Sequence, residues 1–201
     1  MRFTARRFGA PAAPAEGAVV ERYALSMRWM HWTMGSVILG GIGSVLYAQS
    51  LPEEERDYMK PSARYSQAMW YHKSCGMTVA ILVPFRVGMM LVQKRPGMVP
   101  GSDRVTHAAA TTTHYVLYGL FTWMAATGVG MQYASGNNMP FWFTEFETGP
   151  YYKDSAKADW NYNWHALVGK YGKFLIPVHV GGALVHQARG HAIFTRMNPF
   201  A

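Results

Sequence analysis

Four long apolar runs, separated by shorter polar stretches, dominate the pattern of hydrophobic and polar positions along the chain. They cover residues 27–49, 67–92, 108–134 and 162–186. Each run reaches the ~20 residues that an α-helix needs to cross the hydrocarbon core of a bilayer. Helices of a soluble bundle would carry a polar face, which these runs lack over most of their length. The pattern therefore predicts an all-α fold, an integral membrane four-helix bundle.

The amino-acid composition agrees with this prediction. Hydrophobic residues make up 50% of the chain and charged residues 15%, against about 25% charged in ordinary soluble domains. Cys75 is the single cysteine, which excludes an internal disulfide and thiolate-held clusters and predicts a small packing residue. Tryptophan and tyrosine gather near the ends of the runs, as at a membrane–water interface: Trp29, Trp32, Trp70, Tyr71, Tyr133 and Trp164.

Basic residues are distributed unevenly between the two ends of the predicted bundle. Ten lysines and arginines lie on the side of the termini: Arg2, Arg6, Arg7, Arg22, Arg28, Lys94, Arg95, Arg104, Arg189 and Arg196. The loops at the other end, 50–66 and 135–161, hold five lysines and arginines together with eight acidic residues. The positive-inside rule therefore predicts both termini on the cytoplasmic side, or its mitochondrial equivalent, the matrix. The formal net charge of +8 reflects this topology rather than nucleic-acid binding, because no separate basic domain is present.

Two segments follow from this organisation. Residues 1–25 form a basic leader or tail, in which Arg2, Arg6 and Arg7 precede the first acidic residue, Glu16. Such a segment fits either a mitochondrial presequence or a flexible tail of a bacterial protein. Residues 26–201 form the membrane domain. The chain is accordingly expected in the mitochondrial inner membrane or in a bacterial inner membrane.

Four histidines occupy matched depths in three of the runs. His165 and His179 are fourteen residues apart, which on one helix brings the side chains to within about 40° of each other and separates them by about 21 Å. His31 lies about one turn into the first run, His72 about a turn and a half into the second, and His165 close to the start of the fourth. Antiparallel helices then pair His31 with His179 on the positive side and His72 with His165 on the opposite side. Two such pairs predict two haem irons, each bound by imidazole on both faces.

Other histidines compete for these roles. His186 lies seven residues after His179 on a similar face and could replace it as a ligand. His114 begins the third run on the positive side and could ligate the iron or hydrogen-bond a propionate. A non-haem di-metal site is disfavoured because no intramembrane Asp or Glu joins the cluster.

Arg86 is a charged residue inside the second run, fourteen residues after His72. An arginine at that depth needs an anion or must extend to the interface. A propionate of the haem between His31 and His179 is the predicted partner, and extension to the interface is the alternative. Pro84 and Pro177 are expected to kink their helices or to open room beside the macrocycles.

The loop at 135–161 is long and rich in aromatic residues. Phe141, Trp142 and Phe143 are expected on the membrane surface or against the end of the bundle, with a partner contact as the alternative. Long loops in compact domains are often functional.

Local sequences around the histidines resemble the bacterial-type cytochrome b561 family over roughly residues 22–199. They are MHW at His31, YHKSCGM at His72, HYVLYGLF at His114 and WHALVGKYGKFLIPVHVGGALVH in the fourth run. The resemblance implies a four-helix protein with two b-type haems on His31, His72, His165 and His179. It also implies exchange of electrons with ubiquinone or ubiquinol and, in some members, oxidation of superoxide at the outer face.

The function expected from the sequence is transmembrane electron transfer through two b-type haems, between a quinone pool and superoxide or a partner protein. The chain would then be a quinone-linked oxidoreductase. The alternative is a haem-containing accessory or anchor subunit of a larger respiratory complex. The long leader and the elaborated loops at 50–66 and 135–161 favour that alternative.

Overall fold

The computed structural model describes residues 21–57, 59–99, 101–147 and 153–200, so most of the predicted leader lies outside the described residues. The described part is largely helical, which confirms the all-α prediction, with one short hairpin in addition. The elements are α1 (Leu25–Ser50), α2 (Ala63–Val92), α3 (Arg104–Ala134), β1 (Met139–Phe141), β2 (Thr144–Phe146), α4 (Ser155–Gly172), α5 (Leu175–Ala188) and α6 (Ile193–Met197), with a 3-10 turn at Glu53–Arg56.

Three of the long helices begin at a side-chain cap. Ser62, Asp103 and Asp154 accept hydrogen bonds from backbone N–H groups three residues later, at 3.1, 2.8 and 3.0 Å. These bonds satisfy amides that have no partner within the helix. Hydrogen bonds from Thr106 to Asp103 and from the Lys157 backbone to Asp154 lower the pKa of both carboxyl groups. The carboxyl groups of Asp103 and Asp154 are therefore ionised at neutral pH.

Helices α1 to α4 pack in chain order, each against the next. The buried centre consists of Met34 on α1 with Val79 and Val83 on α2, and side chains of α3 pack against it. Helices α1 and α2 approach closely, because a Cβ on Gly41 would lie 3.1 Å from the Cβ of Cys75. Cys75 is buried and free, as its predicted packing role requires.

The fourth run is not one helix over 162–186, as predicted, but two helices that extend beyond it at both ends. Helix α4 begins at Ser155, because Asp154 caps a polar first turn that the hydrophobic pattern did not include. A tight turn then separates α4 from α5, where Phe174 N donates to Tyr171 O and Ile176 N to Lys173 O. Pro177 has no N–H for the carbonyl of Lys173, which accounts for the interruption. Pro84, in contrast, lies within the continuous helix α2.

The two ends of the bundle differ in construction. At the terminal end (residues 21–24, 93–99, 101–103 and 189–198), the buried Arg196 donates to Glu21 O at 3.0 Å and to Gly97 O at 2.7 Å. Tyr23 N donates to Arg196 O, and the Trp32 indole donates to Met197 O at 2.8 Å. The described starting and finishing segments thus lie on the same side. At the hairpin end (residues 51–57, 59–62, 135–147 and 153–154), β1 and β2 pair antiparallel and β1 packs against α2.

Many large apolar side chains point outward from the bundle, including Leu39, Phe85, Val178 and Leu184. Among the described helices, α2 is long and apolar enough by composition to cross a membrane. Helices α1 and α3 are long enough, but glycine, serine, threonine and histidine dilute their hydropathy, and the interruption divides the fourth run. Of the four predicted membrane spans, α2 thus has both the length and the hydropathy of a membrane-spanning helix, and the other three remain predictions.

Candidate functional site

Two pairs of histidine rings meet inside the bundle, and they are the pairs that depth alone predicts. The ring centroids of His31 and His179 are 6.1 Å apart, with their planes at 62°. Those of His72 and His165 are also 6.1 Å apart, with their planes at 80°. His72 and His165 lie nine and ten residues from the starts of their helices, deeper than predicted. Both histidines lie deeper in the bundle than predicted, and by a similar amount. They therefore still face each other, as predicted.

The pairs lie at two levels of the bundle. His72 donates a hydrogen bond from Nδ1 to the carbonyl of Gly41 at 2.8 Å, which fixes its level on α1. Gly41 is ten residues beyond His31, or about 15 Å along the helix axis. The His31–His179 pair therefore lies toward the terminal end and the His72–His165 pair toward the hairpin end.

The spacing within each pair fits one metal held between two imidazoles. Metal–imidazole bonds of about 2.0 Å on both faces would separate two ring centroids by about 6.3 Å. Each observed separation is 6.1 Å. A direct hydrogen bond between two imidazoles brings the rings closer, as His186 and His191 show with centroids 5.0 Å apart. The centroid separations of both pairs are therefore compatible with one metal between two imidazoles.

Hydrogen bonds at the hairpin-end pair leave Nε2 available on both rings. A backbone carbonyl can only accept, so His72 must carry its proton on Nδ1. Thr127 Oγ1 donates to Trp123 O at 2.7 Å and lies 3.1 Å from His165 Nδ1, so it accepts from that ring. Metal-binding histidines commonly donate their second nitrogen in this way, which orients the ring and fixes the tautomer.

Glycines near the paired histidines leave room for a flat group. Gly35 and Gly76 each follow a paired histidine by four residues, and Gly182 follows another by three, so each shares a helix face with its histidine. A Cβ at any of these three would meet no atom within 4 Å. Gly128 on α3 has no such room, since a Cβ there would lie 3.1 Å from His165 Cε1. Three of the four paired histidines thus share a helix face with a glycine that has open space beside it.

The rival histidines occupy other positions. His114 lies beside His179 with ring centroids 5.1 Å apart, too close for the two to face one iron from opposite sides. Its Nδ1 donates to Ala110 O at 2.7 Å, so its Nε2 is an acceptor next to the terminal-end pair. His186 contacts His191, with the two Nδ1 atoms 2.8 Å apart. Neither geometry favours replacement of a paired histidine.

Arg86 lies near the terminal-end pair, as predicted. Its guanidinium donates to Met27 O at 2.9 Å and stacks over the Tyr118 ring at 5.8 Å. Within the described residues the side-chain salt bridges are Arg64–Glu55 and Lys157–Asp154, so no carboxylate pairs with Arg86. A half-buried guanidinium in this position is suited to an anionic group of a bound cofactor.

Sequence reasoning did not identify Gly41 or Thr127 as residues of the site. Thr127 is far from His165 in sequence and lies in an apolar run of α3, where no periodic pattern distinguishes it. The spacing of Gly35 and Gly76 after their histidines was a signal that could have been read. It could have indicated which face of each helix has room for a cofactor.

Comparison with known proteins gives two findings. The model of a family described as prokaryotic cytochrome b561 matches residues 22–199. The probable superoxide oxidase CybB of Yersinia pestis is 23% identical over 169 residues, which cover 83% of this chain and 89% of that protein.

Proposed function

This chain belongs to the prokaryotic cytochrome b561 family, and we propose on that premise that its two histidine pairs hold two b-type haems that carry electrons between a quinone and superoxide or a protein partner. Family membership and the similarity to a superoxide oxidase establish the coarser statement, a haem b-binding membrane cytochrome that transfers electrons across a bilayer. The number of haems, their ligands and the redox partners belong to the proposal.

The observation that carries the proposal is the equal spacing of the two histidine pairs. His31 and His179 hold the terminal-end haem, and His72 and His165 hold the hairpin-end haem. A haem with two neutral imidazoles supplies one-electron transfer without binding substrate at the iron. The protein contributes the ring positions, a fixed tautomer on His72 and His165, and open space at Gly35, Gly76 and Gly182 beside the histidines.

Arg86 is proposed to bind a propionate of the terminal-end haem. It lies within electrostatic range of His31 and His114, and no acidic side chain of the described residues neutralises it. An arginine and a carboxylate in an apolar interior stabilise one another, because each removes the need for the other to reach water.

A quinone is proposed to bind beside the terminal-end haem, near Arg86 and His114. Reduction of a quinone consumes two electrons and two protons, whereas each superoxide releases one electron and becomes dioxygen. Two superoxide anions oxidised at the hairpin end would therefore reduce one quinone to quinol. The name of the Yersinia pestis relative supports superoxide as the donor. A partner protein at the hairpin end remains the other proposed donor.

The proposed location is a bacterial inner membrane. The prokaryotic family and the bacterial relative support it, and neither gives support to the mitochondrial alternative. Both ends of the described chain lie on one side of the bundle. The excess of basic residues at that end favours the cytoplasmic side.

Haem quantitation with single substitutions tests the ligand assignment. The unaltered protein should bind two haems, His72→Ala or His165→Ala should remove the same one, and His31→Ala or His179→Ala the other. His107→Ala, outside both pairs, is the control and should retain both. Loss of both haems from every paired variant, or two haems retained in any of them, would contradict the assignment.

Turnover of the purified chain distinguishes an enzyme from a subunit. With both haems bound, superoxide should reduce them and a soluble quinone analogue should reoxidise them over repeated cycles. Protein whose haems are reduced but do not pass electrons to quinone would instead favour the accessory subunit of a larger respiratory complex. In that case the chain should co-purify with a larger assembly.

A further inference from the structure

The β-hairpin at 139–146 turns through a residue in an unfavourable conformation. Its strands pair with Phe141 opposite Thr144, so Trp142 and Phe143 form a two-residue turn. Trp142 has φ 53°, a left-handed conformation that such turns normally assign to glycine. A tryptophan retains this conformation only where surrounding contacts hold it.

Those contacts come from one stripe of helix α2. Trp142 N donates to Ser74 Oγ at 3.0 Å, and its indole donates to Thr78 Oγ1 at 3.0 Å. The indole of Trp70 donates to Trp142 O at 2.8 Å. Residues 70, 74 and 78 are spaced by four and share one face of the helix. The backbone N–H and C=O of Trp142 thus both have partners on α2.

Exposed tryptophans near the His72–His165 level give a reference for the depth of the turn. Trp123, Trp160 and Trp164 form an exposed cluster with ring centroids 6.1–6.2 Å apart, beside the level of His165. Exposed tryptophans of this kind mark a membrane–water interface. Since His165 pairs with His72, Thr78 lies six residues, or about 9 Å, nearer to the bilayer centre on α2. The indole of Trp142 therefore lies on the bilayer-centre side of the His72–His165 level.

The same stripe of α2 changes character where the hairpin stops. It is polar at Ser74 and Thr78, which the turn covers, and apolar at Ile81 and Phe85, which are 44% and 62% exposed. Phe143, at the tip of the turn, is fully exposed at 101%. The turn thus ends at the point on this stripe of α2 where the exposed apolar residues begin.

We propose that the turn of this hairpin is a wedge inserted into the lipid bilayer, with Phe143 among acyl chains. Non-helical backbone at this depth requires protein partners for its polar groups, and the α2 stripe supplies them for Trp142, the residue next to the tip. Acyl chains are the occupant that fits, because the surface next to the tip is the lipid-facing surface of α2. The proposal requires only that α2 crosses the bilayer and does not depend on haem number or redox partner.

Reaction of an introduced thiol with a water-soluble, charged maleimide tests the wedge. Phe143→Cys is made in a Cys75→Ala background and reconstituted in phosphatidylethanolamine–phosphatidylglycerol vesicles, with reagent on both faces. Lys153→Cys, in an exposed part of the same loop, is the aqueous control, and Leu39→Cys, on the outer face of α1, is the lipid control.

The Phe143→Cys thiol should react on the order of tenfold or more slowly than the Lys153→Cys thiol, because the reactive thiolate is disfavoured among acyl chains. It should match Leu39→Cys and react fully once the vesicles are dissolved in denaturing detergent. The fold leaves Phe143 exposed, so protection must come from outside the chain. A rate equal to that of Lys153→Cys would overturn the proposal. Protection that disappears as protein is diluted in lipid would also overturn it, since a second copy would then be the cover.

Discussion

At the scale of single residues, the acceptor beside each imidazole decides which nitrogen can bind iron. The carbonyl of Gly41 fixes the Nδ1 proton of His72, and the hydroxyl of Thr127 fixes that of His165. The two acceptors differ in kind, because a backbone carbonyl cannot be removed by substitution whereas a hydroxyl can. Thr127 is therefore the position at which ring orientation can be tested without altering a ligand.

Thr127→Val should weaken binding of the hairpin-end haem roughly 10–100-fold and leave the other haem intact, as for losses of second-shell partners in metal sites. Valine has nearly the same shape but offers no acceptor, so His165 loses one of its two orienting partners and keeps the backbone of Met124. Equilibrium haem binding and the midpoint potential of each haem are the measurements. Thr127→Ser keeps the hydroxyl and should retain the haem affinity and the midpoint potential of the unaltered protein. If serine weakens haem binding as much as valine does, Thr127 has a packing role instead.

Gly76→Leu should reduce haem content from two to about one per chain, because the added side chain enters the space beside His72. The helix itself should be preserved or stabilised, since leucine favours helix more than glycine does. Spectral haem quantitation and circular dichroism measure the two effects separately. Gly119→Leu on α3, also in open space, is the matched control and should retain two haems. Two haems in Gly76→Leu would place the macrocycle elsewhere.

At the scale of elements, the fourth run demonstrates what hydrophobic pattern can and cannot predict. The pattern located the four apolar runs because burial and lipid exposure require them to be apolar. It did not predict the polar beginning of α4, which depends on the Asp154 cap, or the interruption before α5. The α4–α5 turn lies between His165 and His179, so it sets how the two histidine levels are offset.

Pro177→Ala should allow the Lys173 carbonyl to accept a helical hydrogen bond and should join α4 and α5 into one continuous helix. His179 would then rotate relative to His31, while His165 keeps its place beside His72. We expect a shifted midpoint potential, or loss, of the terminal-end haem alone, measured by redox titration. Pro84→Ala in the continuous helix α2 is the control. Unchanged potentials in Pro177→Ala would show that the interruption does not position His179.

At the scale of the whole molecule, the two ends of the bundle are closed by different means. The terminal end is closed by hydrogen bonds from α6 to the start of α1 and to the loop before α3. The hairpin end is closed by β1 against α2. Sequence reasoning anticipated the pairing of histidines at each level, because depth follows from residue number. It could not anticipate either closure, since Arg196 and Trp142 bond to backbone or hydroxyl groups far away in the chain.

Arg196→Ala should destabilise the terminal end by about 1.5–3 kcal/mol, because a buried guanidinium that serves two carbonyls is lost. The terminal-end haem should be released at lower temperature than the other, since His31 lies on the helix that α6 holds. Haem release followed spectrally during heating is the measurement. Arg189→Ala, exposed at the same end, is the control. Equal release of both haems would contradict a local role for Arg196.

The closure by α6 also imposes an order in time. Ribosomes synthesise α6 after all the helices it ties together, and His179 follows His165 by fourteen residues. A growing chain therefore contains both His72 and His165 before His179, the partner of His31, has been synthesised. Helix α6, which holds α1, is synthesised later still. Cofactor loading is thus expected to proceed from the hairpin end to the terminal end, so that the order of assembly is set by the order of the sequence.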